Sequence, residues 1–155
     1  MKDNQLPGFV WKLRQSLVFL EAITMLAAAR FLIACIPLRF WRKSLGAVMA
    51  QPAGSDNLPV ADGATVLRAR GISRKVRRAA SRVPFDAVCL PQAMAARWML
   101  SRRGIGTRLY LGAKRSDDGR GFAFHAWLML GDECLTGETE RAAFNAFDTG
   151  KKAAM

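Results

Sequence analysis

Two residues of this chain have the types and spacing to do chemistry together. Cys89 opens a nearly all-apolar, helix-forming run, VPFDAVCLPQAMAARWMLSRRG, and His125, the single histidine, lies inside a strand-like run, GFAFHAWLML. A thiol at a helix start is favoured as thiolate by unpaired amides and the helix dipole, and a neighbouring imidazole takes and returns its proton. That is the minimum apparatus for nucleophilic cysteine chemistry. Pro91 suits the first turn of such a helix, where its missing amide proton has no helical partner. Gln92, three residues after the cysteine and on roughly the same face, is a candidate to hydrogen-bond near the sulfur. Each residue alone also has an ordinary structural role, since buried cysteines and packed strand histidines are common. Spacing establishes only that a helix and a neighbouring sheet could bring the two together.

The elements that must position this pair can be read from periodicity. Residues 17–36, LVFLEAITMLAAARFLIACI, are long enough to cross a bilayer, but Glu21 and Arg30 interrupt them, and charge near a bilayer centre is costly. No signal-peptide cleavage site follows; Pro37 and the basic RFWRK do. The expectation is a buried core helix ended by Pro37. Phe40, Trp41, Arg42 and Lys43 suit a peripheral membrane contact. Residues 51–63, QPAGSDNLPVADG, read as a surface loop. In the next segment Val66, Ala69, Ile72, Val76, Ala80 and Val83 recur at helical steps, predicting one amphipathic helix whose outer face carries RARGISRKVRRAASR (68–82). A third helix is expected from Cys89 to Arg103, stopping at Gly104. TRLYLGAKR (107–115) alternates as a strand, SDDGR is a hairpin turn, and FAFHAWLML is the second strand. On that strand Phe122, Phe124, Ala126 and Leu128 share one face, while Ala123, His125, Trp127 and Met129 share the other. A tight turn at Gly131–Asp132 and a short strand ECLT complete the pattern. Helices first and an antiparallel sheet last make the class α+β.

The 155 residues amount to one domain with a modest core. Residues 1–50 are expected as a helical segment packed on the core, 51–63 as a loop, and 64–155 as the catalytic core. Cys35, Cys89 and Cys134 follow no disulfide or zinc spacing, so Cys35 and Cys134 are expected as small buried hydrophobes in a reducing cytoplasm. No metal and no cofactor is expected. With 24 basic and 12 acidic residues, the formal charge of +12 draws acidic peptides, anionic lipid or nucleic acid through its field. The arginine-rich helix lacks interleaved aromatics and nucleic-acid motifs, so nucleic acid is not an expected partner and the bland reading is a solvated face.

The run CLPQAMAARWMLSRRGIGTRLYLGAKR, followed after a hairpin by FAFHAWLMLGDECLTG, resembles the transglutaminase-like leader peptidases of lasso-peptide biosynthesis, in their stand-alone protease form. The similarity continues upstream through RKVRRAASRVPF to LEAITMLAAARFLIACIPLRFWRKSLG and so covers most of the chain. It rests on Cys-Leu-Pro before a long helix ending in RRG, with HAW starting 36 residues after the cysteine. The resemblance implies a papain-like transglutaminase fold, a cysteine on a helix packed against an antiparallel sheet bearing the histidine. Cys89 matches the family nucleophile and His125 the family base. The family's third member is usually an aspartate about twelve residues after the histidine, and that place is Gly137, in LTGETE. Glu138, adjacent, is the expected carboxylate and Asp132 the runner-up, although a hairpin aspartate needs no catalytic reason. A dyad oriented by a backbone carbonyl or a side-chain amide is chemically tolerable.

The implied reaction is leader removal from a ribosomally made precursor by acyl transfer to sulfur. The oxyanion would be held by the Cys89 amide and Gln92. The implied partners are the precursor peptide, an ATP-using cyclase and a separate leader-binding protein, because the first fifty residues show no β-rich module to grip a leader. The basic helix and the apolar N-terminal helix are the expected docking surfaces. Two other classes fit the same residues. One is a different cysteine acyltransferase or amidase, and the other is a non-enzymatic basic adaptor.

Overall fold

The computed structural model describes residues 6–41, 48–49, 61–116, 120–138 and 145–146. Most of the expected 51–63 loop and the tip of the SDDGR turn lie outside the described residues. Helix α1 (Leu6–Cys35) is built from Leu, Ala, Met and Phe, mostly strong helix formers. It stops one residue before Ile36, which Pro37 disfavours from helical geometry. The indole of Trp41, at the end of the short α2 (Leu38–Trp41), donates to the Ile36 carbonyl at 2.8 Å and so satisfies an acceptor at the helix end. The expectation of a buried core helix holds on one stripe only. Ala22, Leu26 and Ala29 are fully buried, whereas Trp11, Leu17, Leu20 and Phe31 are exposed. A run apolar all round gives no polar face from which its orientation could be read.

Helix α3 (Gly63–Ala80) begins at Asp62, whose carboxylate accepts from the Thr65 amide at 2.9 Å. Its buried stripe is Ala69, Ile72, Ser73, Val76 and Ala79; the stripe ends on Ala79, with Ala80 only half-buried. The basic side is not simply solvated. Arg70 grips Glu133 through two bonds of 2.7 and 2.8 Å, Arg82 lies over the Phe19 ring at 5.6 Å, and Lys75 donates to Gln15. Helix α4 (Cys89–Ser101) is buried on several sides through Pro91, Ala93, Met94, Ala95, Ala96, Met99 and Leu100. It ends at Ser101, two residues short of the expected Arg103, and the turn at the expected Gly104 follows. Gly104 takes φ +72° and the Ile105 amide reaches back to the Leu100 carbonyl at 3.0 Å.

The sheet runs β1–β2–β3–β4 in space. The hairpin of β2 (Arg108–Arg115) and β3 (Phe122–Leu130) is its spine, with β4 (Glu133–Thr136) antiparallel to β3 beyond the Gly131–Asp132 turn. The expected order of helices first and a purely antiparallel sheet last needs one correction. Strand β1 (Val48–Met49) precedes α3 and pairs in parallel with Leu109–Tyr110, while β5 (Asn145–Ala146) pairs antiparallel with Gly112–Ala113. The α+β class stands, with the helices on one face. Leu109, Ala126, Leu128, Leu130 and Leu135 join the helix core, and Tyr110, Trp127 and Met129 form a second cluster on the opposite face. The alternation read from FAFHAWLML is therefore the one observed.

Helix α1 packs on α3 and α4, and α4 packs on β3. The polar tie in the first of these layers is Glu21, which takes a two-pronged bond from Arg103, just past the end of α4, at 3.0 and 2.6 Å. That hydrogen bond first, and then the charges of Arg103 and Arg102, hold the Glu21 carboxyl below its ordinary range despite partial burial. A carboxyl lowered on folding contributes stability above its unfolded value and loses it as pH falls through the lower folded value. Glu21→Gln is therefore expected to destabilise the protein by about 1 kcal/mol at neutral pH. The gap to wild type should close as thermal melts are repeated below about pH 4.

Candidate active site

Cys89 is the first residue of α4 and half-buried, bordering the helix-side core with Leu90 and Leu111. The residue before it, Val88, is the N-cap and offers no side-chain hydrogen bond. Pro91 has no amide, and the Gln92 amide is already given to the Val88 carbonyl at 3.2 Å. The amides of Cys89 and Leu90 thus remain as the helix-start donors available to an anion at the sulfur or beside it. Gln92 does not simply point at the thiol. Its Nε2 donates to the Ala87 carbonyl at 2.7 Å, bracing the turn that leads into the helix and leaving one amide proton for another acceptor.

His125 is buried in β3, opposite Gly112 in the β2 register and beside Trp127. The two rings lie 6.0 Å apart between centroids, inclined by 22°, and Trp127 in turn stacks on Tyr110 at 5.8 Å. Nε2 of the imidazole donates to the carbonyl oxygen of Gly137 at 2.8 Å. Because a carbonyl can only accept, this bond places the proton on Nε2 and makes Nδ1 the basic nitrogen of the neutral ring.

Gly137 is the position at which the sequence departs from the expected aspartate, and the geometry gives the reason. Its φ is +80°, and a Cβ there would lie 2.6 Å from the Ala126 carbonyl, 2.9 Å from Trp127 Cβ and 3.0 Å from His125 Nε2. The Ala126 carbonyl, the Trp127 Cβ and the imidazole itself occupy the space a side chain would need. The imidazole is held by main chain.

Glu138 stands among the arginines of α3. It lines a cavity of about 260 Å³ with Arg70, Arg74, Arg77 and Glu133, and its charge acts on Arg70. Asp132 is exposed in the β3–β4 turn. From His125 to the end of β3 at Leu130 is about 17 Å of extended chain, so the Asp132 carboxylate cannot orient that ring. Of the other two thiols, Cys134 is half-buried, with Sγ 3.4 Å from the Thr136 carbonyl, and Cys35 is exposed, contrary to the expectation of burial. Among the described residues no three His, Cys, Asp or Glu side chains are grouped to hold a metal.

The structure joins His125 to the strand after it and Cys89 to the start of α4. It places the two on different sides of β3, since the helix side carries Ala126 and Leu128 and the imidazole leaves from the other. Strand β4 pairs only with Leu128–Leu130. Beside His125, among the described residues, β3 therefore has a strand neighbour on its β2 flank and none on the other.

Comparison with known families gives one match, to the family described as Transglutaminase-like superfamily, over residues 32–148. That span contains Cys89, His125 and Gly137. No curated protein and no solved structure matches the chain.

The positive φ and the close carbonyl make Gly137 the most sensitive position of this site. Gly137→Ala is expected to cost about 2 kcal/mol or more in thermal unfolding. In the same variant, long-range nitrogen–proton NMR spectra of the imidazole should lose the Nε2-protonated pattern expected of wild type.

Proposed function

Because the chain belongs to the transglutaminase-like superfamily, we propose that it is a cysteine-dependent acyl-transfer enzyme that hydrolyses the leader from a lasso-peptide precursor. That superfamily includes cysteine proteases and acyltransferases. In this proposal Cys89 is the nucleophile and His125 its acid and base. The observation that carries it is the Nε2–H···O bond to Gly137, which gives the imidazole one defined tautomer in a chain of this family.

The reaction begins as Nδ1 takes the Cys89 thiol proton. Sulfur adds to the carbonyl carbon at the leader–core junction, and the negative oxygen is met by the Cys89 and Leu90 amides, with the second Gln92 proton as a further donor. The C–N bond breaks, and the amine of the core peptide leaves with the proton from Nδ1. Water then attacks the thioester, gives its proton to Nδ1, and expels the thiolate and the leader acid. Nε2 keeps its proton on Gly137 throughout. The Gly137 carbonyl is the orienting group in this scheme, with Glu138 left to the arginine cavity. The scheme requires the sulfur, which borders the helix side of β3, and the imidazole, which leaves from the other, to be brought within reach of one another.

The precursor is presented, in the same proposal, by a separate leader-binding protein, and the freed core passes to an ATP-using cyclase. The basic surface of α3 supports an acidic or less basic partner through its field. Tethering the leader on such a partner brings the scissile bond to an effective concentration of about millimolar for a short tether.

Cys89→Ala is expected to abolish leader removal with the fold intact, while Cys35→Ala and Cys134→Ala retain it, as read by mass spectrometry of the precursor. A product carrying a new amide in place of a free carboxylate would assign the chain to another acyl transfer. With Cys35 and Cys134 replaced, His125→Cys should form a disulfide with Cys89 under mild oxidation, which requires Cα atoms within about 7 Å. No crosslink would remove the pair. Glu138→Gln should leave turnover within about threefold of wild type, where loss of an orienting carboxylate costs far more. Adding the leader-binding partner should raise cleavage, and salt should lower it.

A further inference from the structure

Helix α1 carries a second apolar stripe that the fold does not use. Val10, Leu13, Leu17, Leu20, Thr24 and Phe31 recur at helical steps, with exposed alanines filling the places between and after the last two. Leu17 is 58% exposed, Leu20 59% and Phe31 59%, on the side opposite the buried Ala22, Leu26 and Ala29. From Ser16 to Cys35, a length of about 30 Å, this stripe holds no charged residue. Glu21 is turned toward Arg102 and Arg103, and Arg30 is half-buried.

The hydroxyls beside or on this stripe are internally satisfied: Ser16 Oγ donates to the Lys12 carbonyl at 3.1 Å and Thr24 Oγ1 to the Leu20 carbonyl at 3.0 Å. That arrangement leaves no hydroxyl proton unpaired on this face, which is compatible with contact with hydrocarbon. Exposed cations stand at both ends, Lys12 and Arg14 at one and Arg39 at the other. An exposed aromatic, Phe40, accompanies Arg39, whose guanidinium lies 4.7 Å from its ring centre, whereas Trp11, also exposed, lies on the Ala29 side of the helix. Trp41, expected at such a contact, is buried against the helix end instead.

We propose that α1 is an in-plane membrane anchor that lays this stripe on an anionic bilayer surface. By length and composition Val10–Cys35 is apolar enough to cross a membrane, but its other side is docked. Gln15 meets Lys75, Phe19 meets Arg82, Glu21 meets Arg103, and Leu26 is fully buried. Spanning would drag the arginines of α3 into hydrocarbon or break these contacts. Lying flat keeps them, buries the stripe and sets the flanking cations at lipid phosphates.

A second copy of the chain is a poorer occupant. Each copy carries a formal +12, and the one carboxylate flanking the stripe, Glu21, is already held by Arg103 and Arg102, leaving none for a partner's cation. Self-association would add like charge, and anionic lipid neutralises it.

Co-sedimentation with phosphatidylcholine–phosphatidylglycerol vesicles tests this independently of any peptidase assay. Wild type should pellet with these vesicles and far less with phosphatidylcholine alone. Leu17→Glu/Leu20→Glu, with its thermal melt retained, should partition at least about tenfold more weakly. Leu13→Glu lies before the docked part of α1 and gives the same reading should the double variant fail to fold. Binding by the glutamate variants at wild-type strength would overturn the proposal in favour of a purely electrostatic contact from α3. So would absence of wild-type binding, or a wild-type dimer in light scattering that the glutamates dissociate.

Discussion

Helix α4 is buried on several sides at once, against α1 and α3 on one side and β3 on the other. A helix in that position cannot leave its end groups to water, so each terminus needs a structural answer. The alanines at 93, 95 and 96 let its neighbours approach closely, and Met94, Met99 and Leu100 fill the remaining volume. At the C-terminal end the carbonyls are answered three times over: by Gly104 in its left-handed turn, by the Ile105 amide, and by Arg103, which donates to the Met99 carbonyl at 2.7 Å while gripping Glu21. At the N-terminal end nothing comparable exists. Val88 brings no capping oxygen and Pro91 no amide, so the donors of Cys89 and Leu90 are left for an anion. The same helix is locked at one end and chemically open at the other.

The histidine side of the site follows from a different constraint. Strand β4 is only four residues long, and its pairing with β3 shifts between Leu128 and Met129. The chain then turns at Gly137 close enough to β3 for its carbonyl to reach Nε2. A carboxylate in that place would both orient the ring and add a charge favouring imidazolium; a carbonyl orients and contributes a dipole. An aspartate could not have been accommodated on this backbone, and the departure at position 137 and the close packing of Ala126 and Trp127 are one feature.

Much of the scaffold was legible because its signals are periodic and local. The spacing of Val66, Ala69, Ile72 and Val76 gave α3, the alternation through HAW gave both faces of β3, and Gly104 and Gly131 marked a helix stop and a turn. What escaped was long-range or lay in the backbone. The Glu21–Arg103 and Arg70–Glu133 pairs join residues 82 and 63 positions apart, and nothing in either neighbourhood announces the other. The parallel pairing of β1 rests on two residues without an alternating pattern. Glu138 attracted a catalytic role because reasoning from side chains looks for a carboxylate, whereas the group at His125 is a peptide carbonyl, which any residue type supplies. The glycine itself was the available clue: a residue without Cβ just past a strand often marks close backbone approach.

The exposed stripe of α1 and the site at the other end of the fold are related by the order of the layers. Helix α1 contacts α3 and α4 and stands outside them, while α4 separates it from β3. Whatever covers the stripe therefore does so on the side away from the sheet, and the flank of β3 beside His125 stays on the opposite side of the molecule. Glu21 is central to this separation. Its side chain, 18% exposed, is the one carboxylate within the apolar length of α1, and it is directed inward to the arginines that end α4. That single orientation does two things. It ties the outer helix to the helix that begins at Cys89, and it leaves the outward stripe free of charge. An acidic residue one position away would have done neither, because a step of 100° per residue would carry it into the fully buried stripe at Ala22 or onto the exposed face at Leu20.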